Sequence, residues 1–160
     1  MNVSPMTEAP LFGQRIAGVS VPPCDGGEIL KRMSPANPSR LVARFGVATH
    51  KQIDEAVAAA RRVQPEWAAR HPAQRAEVLI RAARLLEQRR AELVNWEVAE
   101  SGMLRSLAEM HAGWCVDVLD FYAGLARALS GRSVPLGSSK LGMVIPEPYE
   151  VVVALGPWNF

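Results

Sequence analysis

The stretch Val144-Ile145-Pro146-Glu147-Pro148-Tyr149-Glu150-Val151-Val152-Val153-Ala154-Leu155-Gly156-Pro157-Trp158-Asn159-Phe160 decides the fold. Its β-branched run, Val151 to Val153 extended by Ala154 and Leu155, reads as a strand buried on both faces, the pattern of a parallel sheet. Gly156-Pro157 stops it, and Trp158 and Asn159 follow at the strand's carboxyl end. In open α/β sheets that edge is where ligands bind. A first strand without a second strand or crossover helix behind it reads as the opening of a larger domain.

The whole chain has 160 residues, enough for one domain with a sizeable core. A hydrophobic share of 49% and a charged share of 21% are ordinary for a soluble globular protein. The 18 basic residues are interspersed with 16 acidic ones, and a net charge of +2 gives no patch for nucleic acid. Cys24 and Cys115 are far apart and lack metal-ligand spacing, which favours a reduced compartment over a disulfide or a metal site. Residues 1 to 12 lack the charged and apolar blocks of a secretory signal, and no apolar run approaches membrane-spanning length. The expectation is a soluble cytoplasmic protein with neither a membrane nor a nucleic-acid partner.

Residues 1–28 read as a loose arm with a small hairpin between Leu11 and Val21, followed by the Pro22-Pro23 and Gly26-Gly27 loop. Glu28 to Met33 and Leu41 to Val47 are two strands that pair antiparallel across the turn cluster Ser34 to Ser39. Thr49 and Gln52 then have the spacing of a capping box. The helix it opens carries Ile53, Val57, Ala60 and Gln64 on one face and is expected to end near Gln64, because Pro65 cannot continue the ladder. Trp67 is expected to plug the turn. Pro72 suits the first position of a second helix, whose buried stripe is Ala76, Leu79, Ile80, Ala83 and Leu86. A short helix from Ala91 ends at Gly102, a residue suited to the left-handed position after a helix. The longest helix runs from about Ser106 to Ser130. Its wide apolar stripe, Leu107 through Trp114, Val118 and Phe121 to Leu129, needs something large to pack on. Residues 132–150, rich in Pro, Gly and Ser, read as an extended arm of the kind that pairs with another subunit's sheet.

In register along the chain, these segments resemble the aldehyde dehydrogenase superfamily. The resemblance is carried by Glu147-Pro148, the strand Val151 to Leu155, and Gly156-Pro157-Trp158-Asn159-Phe160. Upstream, Ser34 to Pro38 stands where the family has its Asn-Pro-Ala turn. Asp54 to Arg61 with Trp67 is similar to its first helix, and Arg75, Leu79 to Glu87 and Arg89 to Leu93 to its second. Glu100-Ser101-Gly102 matches its Glu-Thr-Gly, and Phe121 to Gly124 the end of its long helix. The order and spacing hold from about Ile29 to Phe160, which corresponds to roughly the first third of a two-domain enzyme.

The resemblance implies an α/β fold. The chain would be the N-terminal fragment of an aldehyde dehydrogenase-like Rossmann-type domain, mostly helical, with short N-terminal strands, an extended oligomerisation arm and one terminal sheet strand. Residues 29–131 would be strands and helices of the cofactor-binding domain, 132–150 a homo-oligomerisation arm, and 151–160 the first strand of the dinucleotide-binding sheet. The implied activity is oxidation of an aldehyde to a carboxylic acid with NAD or NADP, by attack of a cysteine thiolate and formation of a thiohemiacetal. Asn159 matches the family's asparagine that helps hold the oxyanion, and a neutral fixed donor stabilises developing negative charge without quenching a nucleophile. Leu155, Gly156, Pro157 and Trp158 match the strand end that lines the cofactor site. The catalytic cysteine and glutamate lie downstream in the family, so the 160-residue chain alone is expected to be inactive. Pro146 replaces the usual basic residue before Glu-Pro, Met103 the usual lysine after Glu-Ser-Gly, and Tyr149-Glu150 a small or glycine-containing pair. The alternative is a non-catalytic helical interaction module, or a remnant, that associates with a full-length homologue.

Several residues have plainer readings. Outside the family context Asn159 is a turn residue after Gly-Pro, and Trp158 a core residue. Cys115 lies on the apolar stripe and reads as inert packing; Cys24 sits in a Pro/Gly loop with no activating group placed beside it. Neither matches the family nucleophile. His111 reads as a core or boundary histidine, His50 and His71 as solvated helix starts, and Glu97 and Glu100 as a solvated helix end.

Overall fold

The structure, a computed structural model, describes residues 9–156. They divide into two compact units, one formed by Met1–Arg62 with Arg90–Met110 and the other by Val63–Arg89 with His111–Phe160.

The first unit is built on a three-stranded sheet. Leu11–Phe12 (β1) pairs parallel with Asn37–Gly46 (β5), which pairs antiparallel with Ile29–Ser34 (β4). The expected strand pair and its turn are therefore present. The strands run further into the turn than Leu41 alone suggested, because the ladder reaches Ser34 opposite Asn37 across a register shift beside Met33. The expected small hairpin is Gln14–Ile16 (β2) with Val19–Val21 (β3). Its two-residue turn, Ala17-Gly18, takes positive φ at both positions, 50° and 81°, matching the right-handed twist of the strands. The Gln14 amide donates to the Gly46 carbonyl at 2.7 Å and ties the hairpin to the end of β5. Phe12 stacks on Phe45 at 5.6 Å and meets Trp96 edge-on at 6.0 Å.

Four helices follow. His50–Ala69 (α1) opens with the expected box: Thr49 Oγ1 accepts from the Gln52 amide at 3.2 Å, and Gln52 Oε1 accepts from the Thr49 amide at 3.0 Å. Two expectations for α1 fail. It passes through Pro65 to Ala69, since a proline deletes one ladder bond and the later turns resume. The resumed turn is braced by the Glu66–Arg70 ion pair at 2.6 Å and by Arg70 lying 5.9 Å over the Trp67 ring. Its covered face is also rotated: Gln52 and Ala59 are buried, whereas Ile53 is exposed. Trp67 is exposed as well, beneath Arg70 instead of inside a turn.

Pro72–Gln88 (α2) buries Ala76 and Ala83 and half-buries Leu79, Ile80 and Leu86, as their spacing requires. Its N-cap is His71, whose Nδ1 accepts from the Ala73 amide at 3.2 Å while Gln74 Oε1 accepts from the His71 amide at 3.1 Å. Arg75 reaches back to the end of α1, donating to the carbonyls of Ala68 at 3.1 Å and Arg70 at 2.7 Å.

Arg90–Ser101 (α3) buries Val94 and stops at Gly102, where φ is +74°. Side chains close its last turn: Ser101 Oγ donates to the Glu97 carbonyl at 2.6 Å, and Arg32 donates to the Glu100 carbonyl. Glu97 and Glu100 are half-buried, less open than the solvated helix end their sequence position suggested.

Arg105–Ala128 (α4) buries Ala108 and Ala123, and half-buries Ala112, Val116 and Leu119 between them. The large apolar stripe lies on a different face and is uncovered: Trp114 is 49% exposed, Val118 54%, Phe121 64%. Cys115, expected to be packed, is exposed for the same reason.

The residues after α4 form a hairpin, Arg132–Pro135 (β6) antiparallel to Leu141–Val144 (β7). The Leu136 amide bonds the Lys140 carbonyl at 2.9 Å and closes its loop. The arm expected over 132–150 thus contains a defined element, exposed along nearly its whole length.

Among the described residues the buried set is dominated by alanine, and Val94 is the largest side chain fully withdrawn from water.

Candidate functional site

The site expected from the sequence lies at the end of the Val151 run. Residues 151–156 belong to no helix or strand and pair with no strand among the described residues. A first strand without its sheet neighbours is left in this state, unpaired and exposed. A parallel strand is defined by hydrogen bonds to neighbours, and no described residue supplies them. Val152 and Val153 are accordingly exposed, and Leu155 is 91% exposed. A Cβ added at Gly156 would meet nothing within 4 Å. Pro157, Trp158 and Asn159 lie outside the described residues, so of the five candidates only Leu155 and Gly156 are placed.

A dinucleotide is held by backbone N–H groups at a helix N-terminus and a close-packed glycine turn. Val151–Gly156 supplies one open edge and no phosphate cradle. By themselves the described residues do not build a nucleotide site. Among them, no group of three or more His, Cys, Asp or Glu is placed to hold a metal ion. No helix among the described residues is long and apolar enough to cross a membrane.

Two of the other titratable candidates, His71 and His111, are held by local contacts. His71 caps α2, a role that the Gln three residues later signals in the sequence. His111 is half-buried and stacks on Trp114 at 5.5 Å, in keeping with a boundary position. Cys24 and Cys115 are both exposed free thiols. Arg75 entered the sequence reading only as part of the second helix's resemblance, because an arginine on a helix gives no sign that it will fold back onto carbonyls of the helix before it.

Comparison with known proteins adds what the geometry leaves open. Residues 23–160 match the model of the aldehyde dehydrogenase family. The 4-trimethylaminobutyraldehyde dehydrogenase of Mus musculus is 30% identical over 143 residues, a span of 89% of this chain and 29% of the mouse protein. Among solved structures, an NAD-dependent aldehyde dehydrogenase from Sinorhizobium meliloti superposes with a TM-score of 0.80 at 29% identity, covering 86% of this chain and 28% of that one. An NAD-dependent benzaldehyde dehydrogenase from Corynebacterium glutamicum gives a TM-score of 0.71 at 30% identity, covering 78% of this chain and 27% of that one. The chain therefore spans under a third of the length of these relatives, while the family match runs through most of the chain. It belongs to the aldehyde dehydrogenase family.

Proposed function

We propose that this chain is the N-terminal part of an NAD(P)-dependent aldehyde dehydrogenase, an oxidoreductase that converts an aldehyde to a carboxylic acid. The observation that carries the reading is the family match through residues 23–160, which runs through the Trp158-Asn159 pair. The uncovered faces support it: the α4 stripe and the unpaired Val151–Gly156 segment are patterned for burial and are exposed here. In this reading 29–131 belongs to the cofactor-binding domain, 132–150 is an arm for homo-oligomer formation, and 151–160 begins the dinucleotide sheet. Leu155, Gly156, Pro157 and Trp158 line the cofactor edge. Asn159 donates its amide N–H to the oxyanion formed when a thiolate from outside these residues attacks the aldehyde.

The test joins residues 1–160 to the part of the Sinorhizobium meliloti enzyme that this chain does not cover. Aldehyde-dependent NAD(P)H formation is then followed for the fusion and for the 160-residue chain alone. The reading expects turnover by the fusion and none by the chain alone. A folded, cofactor-binding fusion without turnover would refute it. Co-purification of the chain with an intact homologue, alongside an inactive fusion, would favour the non-catalytic interaction module instead.

A further inference from the structure

We draw no further inference here: the strongest candidate, the exposed apolar face of α4 from Leu107 to Leu125, carries none because nothing in the structure shows what covers it.

Discussion

Gly102 stands against Pro35: a Cβ built on Gly102 would lie 3.2 Å from the Pro35 Cβ, and its φ of +74° is one that side-chain-bearing residues rarely adopt. The end of α3 is thereby set against the turn between β4 and β5. Gly102→Ala is expected to cost about 1–2 kcal/mol from the left-handed backbone alone, with the close approach to Pro35 adding to it. A urea titration of the 1–160 fusion described above checks this through a lower midpoint. An unchanged midpoint would mean that the α3 terminus does not hold the turn.

Arg75 makes the corresponding connection between α1 and α2 through its bonds to the Ala68 and Arg70 carbonyls. Arg75→Met keeps most of the aliphatic stem and removes both bonds. Hydrogen bonds from a charged donor contribute about 1.5–3 kcal/mol each, and the part-exposed position places the loss toward the lower end. Hydrogen exchange should accelerate in the last turn of α1 while the amides of β5 keep their protection.

Thr49 and Gln52 close the other end of α1. Thr49→Ala removes the acceptor of the Gln52 amide and is expected to cost about 1 kcal/mol, the usual value of an N-cap. The expected signature is faster exchange of the Gln52 amide. Thr49→Ser should restore protection, since the hydroxyl is the acceptor.

These local features were legible because each is decided by a few neighbouring residues. Thr49 with Gln52, Pro72 at a helix start, Gly102 at a helix end and the turn residues Ser34 to Ser39 act within one turn of chain. The α2 stripe was legible too, because Ala76 and Ala83 are covered by residues this chain contains. Composition says which faces are apolar, and not which of them these residues cover. Val151 to Leu155 has the composition of a doubly covered strand and lies exposed; the α4 stripe is apolar and exposed. Pro65 misled for a different reason: losing one donor is a smaller penalty than ending a helix whose next turn is braced by Glu66, Trp67 and Arg70. The family itself was readable from Glu147-Pro148 and the Pro157-Trp158-Asn159 segment, and the sequence offers only one edge of a site, because a cofactor cradle is made of segments distant in sequence.

The uncovered α4 face predicts behaviour in solution. Val118 and Phe121 are 54% and 64% exposed, and contiguous apolar surface of this kind drives association. The isolated chain should bind an apolar dye such as ANS and sediment as more than a monomer. The Val118→Lys, Phe121→Lys double variant should weaken both. A monodisperse monomer with a cooperative unfolding transition and no dye binding would contradict the exposure described for α4.

The most direct test of the central claim is the kcat of the fusion with Asn159 replaced by Ala. If Asn159 is the oxyanion donor, Asn159→Ala should lower kcat by about 10²–10³, the typical loss for one such donor, with cofactor affinity little changed. An Asn159→Ala fusion that folds, binds cofactor and turns over at the parent rate would show that Asn159 is a turn residue and that the assigned role is wrong.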